Sequence, residues 1–146
     1  MIWEKIQAIT SIVTALGVVL AIVQLWYFRK QNVTQFEDEM SRQYREILQT
    51  IPVKALLGKE LTPNEFEDAQ NGIYHYLDLS NEEVFLRQNK RVSEETWVSW
   101  RDGIKSNLSR RAFAQVWQRI KLETKDSLSE LRRLEESGFK DDPKHW

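Results

Sequence analysis

Cysteine is missing from all 146 residues, and with it a thiol nucleophile, a disulfide framework and any Cys-based zinc site. Histidine is almost as scarce, with only His75 and His145. The five glycines form no phosphate-cradling loop, and no Arg-x4–6-His spacing of the kind used by helical HEPN-class ribonucleases occurs. Strand-like alternation and long internal repeats are also missing. Neither sign of charge dominates: the net charge of −1 gives nucleic-acid binding little support. His75, Asp78 and Glu82 are spaced to share a helix, but carboxylates at i,i+4 are more often surface or capping residues, so no metal is expected. No cofactor is implied, and the chain does not read as an enzyme.

What the sequence does contain is an uncharged run over residues 6–28, 23 residues in all. As a helix it spans about 34 Å, enough for a hydrocarbon core of about 30 Å. A secretory signal would need a basic start, a shorter apolar core and a cleavage site, whereas Glu4 offsets Lys5 and the run exits through Trp26-Tyr27-Phe28-Arg29-Lys30. A buried core helix rarely lacks charge for so long. Trp3 and Trp26-Tyr27 are placed as interfacial aromatics, so the expectation is a single-pass anchor over residues 1–28 in contact with membrane lipid. Arg29, Lys30, Arg42 and Arg45 outweigh Lys5, which puts the N-terminus outside and the following 118 residues in the cytoplasm of an inner-membrane protein. The lack of cysteine permits that placement without proving it.

Within the run, Gln7, Thr10, Thr14, Gly17, Ala21 and Gln24 follow a 3-4-3-4-3 spacing and, with Ser11, share one arc. Ile12, Leu16, Val19 and Val23 occupy the opposite face. Polar groups are costly against lipid, and Gly17-x-x-x-Ala21 permits close backbone approach, so this stripe is expected to associate with further copies of the chain. The plainer reading is that Ser and Thr bond their own backbone while Gln7 and Gln24 snorkel. A pore lined by the stripe is a narrower version of the first reading.

Past residue 28 the chain reads as helix nearly throughout. Val33, Phe36, Met40, Tyr44 and Ile47 keep helical spacing over a juxtamembrane amphipathic segment, 29–50. Pro52 ends it, and 53–62 reads as a loop. Thr62-Pro63-Asn64-Glu65 is a capping box with proline at the first helical position. Phe66, Ala69, Ile73, Leu77, Ser80 and Val84 then share a face. Ser93 starts a second helix and Ser109 is expected to cap a third, with Leu128, Leu131 and Leu134 continuing the pattern to Gly138. The helical domain is thus bounded at 62–137, with a loose tail at 138–146. Trp97, Trp100, Trp117, Phe113 and Phe85 are its expected core. The expected fold is all-α: one transmembrane helix continuing into a stalk, then a small cytoplasmic bundle.

Charge is uneven locally. Residues 60–83 hold seven acids and no Lys or Arg, while residues 84–121 hold nine bases against three acids. Such segments can pair within the chain, pair between subunits or remain solvated; exposed pairs contribute only about 0–1 kcal/mol each. Glu82, Glu83, Lys105, Arg110 and Arg111 form the candidate interaction surface for a cytoplasmic protein partner.

Tyr76-Leu77-Asp78-Leu79-Ser80-Asn81-Glu82-Glu83, followed by Phe85-Leu86, Arg91-Val92-Ser93, Trp97, Trp100, Gly103-Ile104, Asn107-Leu108, Phe113 and Trp117, resembles a bacterial family of small membrane-anchored helical proteins catalogued as a domain of unknown function. The resemblance covers about residues 66–120 and implies an N-terminal anchor in the same place, with no activity or catalytic residues to carry over. In layout alone the chain is also similar to the membrane accessory protein of type VI-B CRISPR systems, to which a pore is ascribed; that is an analogy of architecture. The functional expectation is a self-associating membrane protein, a pore-forming or membrane-perturbing effector of stress or phage defence. The alternative is an anchor whose helical domain docks a partner.

Overall fold

The computed structural model describes the backbone of residues 2–146 and the side chains of Trp3, Gln7 and residues 14–146. Among these residues every regular element is helical: α1 (Ile2–Gln49), α2 (Val53–Leu56), α3 (Pro63–Gln88), α4 (Glu94–Leu108), α5 (Arg111–Glu123), α6 (Ser129–Glu136) and a 3-10 turn, Pro143–His145. The chain divides after Gln35 into two compact units.

In the first unit α1 presents apolar side chains on every side. Leu16, Val18, Leu20, Ile22, Leu25, Trp26 and Phe28 are each more than half exposed. Trp26 and Tyr27 meet edge to face at 5.5 Å, and the Lys30 ammonium lies 5.7 Å from the Trp26 ring centre. Among the described residues no helix is long and apolar enough to cross a membrane. Within the uncharged run the described side chains are that of Gln7 and those of 14–28, the latter about 22 Å of helix; those of residues 6 and 8–13 lie outside the described ones.

The second unit, Phe36–Trp146, is built around α3, which packs against α4, α5, α6 and the 3-10 turn. The capping box forms as read: Thr62 Oγ1 accepts from the Glu65 amide at 3.3 Å, and Glu65 Oε2 accepts from the Thr62 amide at 2.9 Å. Ser93 caps α4 through the Thr96 amide, and its own N–H donates to Glu37 Oε1 at 2.8 Å. Such a side-chain cap contributes about 1 kcal/mol. Ser109, expected to start α5, instead closes α4; Arg110 stands at the start of α5 and makes no side-chain cap.

One apolar cluster joins Ile73, Leu77, Phe113, Trp117 and Leu131; a second joins Met40, Leu79, Val84, Trp97 and Leu134. Tyr44, Ile47 and Phe139 pack against both. The unit therefore begins well before residue 62: Met40, Ile51 and Ala55 are buried in it, and the expected loop contains the turn of α2. Two expected core residues are displaced. Trp100 is only partly buried, and Phe85 is 45% exposed because it shares the outward arc of α3 with Asp78 and Glu82.

The tail is not loose. Pro143 is buried, and the Arg133 guanidinium stacks 4.3 Å from the Trp146 ring centre. The decisive contact joins residues far apart in sequence: Arg87 donates to both carboxylate oxygens of Asp142, through Nε to Oδ1 at 2.7 Å and through Nη2 to Oδ2. A two-pronged bond to Arg87, a residue only 3% exposed, fixes the tail on α3.

Candidate functional site

The buried polar residues of the second unit are few and lie close together. Ser80, Glu83 and Arg87 follow Tyr76 at a 4-3-4 spacing, which lines all four along one row of α3; Asn107 of α4 faces the head of that row. Three of the four buried polar side chains are satisfied. Ser80 Oγ donates to the Tyr76 carbonyl at 2.9 Å. Asn107 Nδ2 donates to Tyr76 Oη at 2.7 Å. Arg87 holds Asp142 and donates through Nη1 to the Val92 carbonyl at 2.9 Å.

Glu83 is the exception. It is 5% exposed, and among the described residues its carboxylate has no hydrogen bond or ion pair. Burial alone pushes its carboxyl up to about 8, so it holds its proton near neutrality. Burial likewise pushes the Tyr76 phenol up, against the opposing bond from Asn107. The contrast with Asp142 is instructive, since the hydrogen-bonded Arg87 guanidinium holds that carboxyl below its usual range.

Glu83 opens onto a cavity of about 390 Å³ between α1, α3 and α4. Ser41, Tyr44 and Arg45 line it from α1, Tyr76 from α3, and Ser99, Trp100, Gly103, Ile104 and Asn107 from α4. Arg45 makes no ion pair with Glu83, and a Cβ added to Gly103 would meet nothing within 4 Å. The cavity falls within the size range of small-molecule sites, and it combines an apolar wall with a few polar groups as those sites do.

The candidate interaction surface does not form one patch. Glu83 is buried, a correction that follows from the 100° step separating it from exposed Glu82. Lys105 is exposed on α4, Arg110 is half-buried, and Arg111 pairs with Glu60 at 3.0 Å with both side chains largely exposed. That pair is the only ion pair joining the acidic to the basic segment among the described residues. His75, Asp78 and Glu82 share a separate hollow of about 320 Å³, and no group of three or more His, Asp or Glu among the described residues is placed to hold a metal. In the first unit Gln7, Thr14, Gly17, Ala21 and Gln24 are exposed along α1; the side chains of Thr10 and Ser11 lie outside the described ones.

Sequence reasoning missed the Tyr76–Arg87 row, although a signal was present: its polar residues recur at helical spacing beside the apolar face of Ile73, Leu77 and Val84. The family scan, the curated proteins and the solved structures yield no match to the chain.

Proposed function

We propose that the chain is a single-pass membrane protein, anchored by residues 6–28 and self-associating through Gln7, Thr10, Ser11, Thr14, Gly17, Ala21 and Gln24. One observation carries this reading. The uncharged run lies in one helix whose large apolar side chains from Leu16 to Phe28 are exposed on all faces within the chain. Left in water, so much contiguous apolar surface would drive aggregation, and lipid with neighbouring copies is the cover that suits a run of this length. Lipid suits the apolar face; copies of the chain suit the polar and small one. Basic flanking residues Arg29, Lys30, Arg42 and Arg45 favour a cytoplasmic second unit. Docking of a protein partner through charged faces has weaker support, because Glu83 is buried and Arg111 already has a partner.

Alkaline extraction of membranes tests the anchor, and disulfide crosslinking tests the association. The expected result is that the chain resists extraction and that single cysteines at Thr14 and Ala21 give crosslinked ladders while those at Val19 and Val23 do not. Release by alkali removes the anchor. Equal crosslinking from both faces removes the stripe. Ladders from the stripe alone lead to a conductance measurement in bilayers, which separates a pore from simple packing and bears directly on the effector role.

A further inference from the structure

The second unit carries a feature that membrane anchoring does not use: a cavity with an acid in its lining that has no protein partner among the described residues. That residue, Glu83, is 5% exposed and meets the outside only through the cavity it lines, where no protein group pairs with its carboxyl among the described residues. The cavity is large enough for a small metabolite, at about 390 Å³. Its chemistry is asymmetric. Glu83 is a buried part of its lining, with Tyr44, Tyr76 and Trp100 as aromatic walls and exposed Arg45 as a cation that makes no ion pair among the described residues. Tyr76 Oη accepts from Asn107, which lines the same cavity from α4.

We propose that this cavity binds a small zwitterion, its ammonium group on Glu83 among the aromatic side chains and its carboxylate on Arg45. Aromatic faces and a carboxylate together form the usual chemistry of ammonium recognition. Ammonium binding draws the proton off Glu83, whose buried carboxyl holds it near neutrality, and gives the carboxylate a charge-assisted partner. Arg45 then selects against plain amines and favours ligands with an acid at the other end. The ionisable groups lining the cavity are Arg45 and Tyr44 from α1 and Tyr76 and Glu83 from α3; α4 contributes none. Proton release on binding is therefore assigned to Glu83.

The test is calorimetric titration of the full chain in detergent with 4-aminobutyrate, n-butylammonium and butyrate, each up to about 10 mM. The expected order is 4-aminobutyrate first, n-butylammonium at least tenfold weaker, and butyrate without binding. Repeating the titration at pH 7 in buffers of different ionisation heat should show about one proton released per 4-aminobutyrate. E83Q, which keeps the shape of the side chain, should weaken 4-aminobutyrate at least tenfold and abolish the proton release. R45Q should erase the preference over n-butylammonium. Gly103→Leu, which projects a side chain into open space on a helix that tolerates leucine, should block binding with α4 intact. The proposal fails if none of the three probes binds, if butyrate binds best, or if E83Q leaves affinity and proton release unchanged. Because none of these readouts involves the membrane, failure here leaves the anchoring result standing, and the reverse also holds.

Discussion

Glu83 sets a pH dependence that is unusual for a carboxyl. Its folded value, near 8, lies above the ordinary 4.5, so the folded chain keeps a proton that the unfolded chain releases. Because burial penalises only the ionised form, the fold is most stable with respect to this group below about pH 4.5 and loses stability as pH rises to about 8, the reverse of a salt-bridged acid. E83Q does not titrate, so its stability relative to the parent should rise across that window by an amount on the order of 4 kcal/mol. Urea unfolding of both proteins at pH 5 and pH 8.5 measures it; a constant difference would mean that the carboxyl is solvated or paired in solution. Gly72 supplies a second residue-scale test. A Cβ there would lie 2.6 Å from Thr50 Oγ1, itself bonded to the Ile47 carbonyl, and 2.8 Å from Cγ1 of buried Ile51. Alanine in mid-helix normally gains about 1 kcal/mol over glycine. Here Gly72→Ala should instead destabilise by about 1–2 kcal/mol in equilibrium denaturation, because the turn after α1 must move. Neither residue was legible in the sequence. Glu82 and Glu83 are chemically identical neighbours that only the rotation of a packed helix distinguishes, and the close approach at Gly72 depends on Thr50 and Ile51, 22 and 21 residues earlier in the chain.

Helix ends show where local sequence suffices. Thr62 and Ser93 were readable as starts because a cap is decided within four residues. Gly138 was readable as a stop for the same reason: its positive φ lets its amide reach the Glu135 carbonyl and the Phe139 amide reach the Leu134 carbonyl. The end of α3 uses the same pair of bonds, Lys90 to Arg87 and Arg91 to Leu86, but places a lysine at φ 59° where glycine is favoured. Lys90→Gly should therefore stabilise the fold by about 0.5–1 kcal/mol, read as a higher urea midpoint with an unchanged slope. The docked tail was not readable. Its anchor, Asp142 on Arg87, joins residues 55 apart, and nothing in a short polar segment announces a partner at that distance. The end of α1 was only half readable: its spacing marked Met40, Tyr44 and Ile47 as one face, but not that this face closes both apolar clusters.

At the scale of the whole molecule, the all-α class was legible from periodicity alone, whereas the boundary of the folded unit was not. The unit runs from Phe36 to Trp146, so a fragment cut at 62–137 would lose Met40, Ile51 and Ala55 as well as the partner of Arg87. A 36–146 fragment should unfold cooperatively, while 62–137 should show helical far-ultraviolet signal without a cooperative transition. Comparable cooperativity in the two would place the core within the shorter span. The tryptophans are distributed in a way that extends this division into optics. Trp3 and Trp26 are exposed in the first unit, whereas Trp97 and Trp117 are enclosed in the second with indole N–H groups that have no hydrogen-bond partner among the described residues. Unbonded, shielded indoles emit to the blue and escape aqueous iodide. Brominated acyl chains, by contrast, reach only rings that touch lipid. On the proposed anchoring, the intrinsic emission should thus contain a component from Trp3 and Trp26 that brominated lipid quenches and a blue component from Trp97 and Trp117 that resists iodide, with half-buried Trp100 and Trp146 between the two.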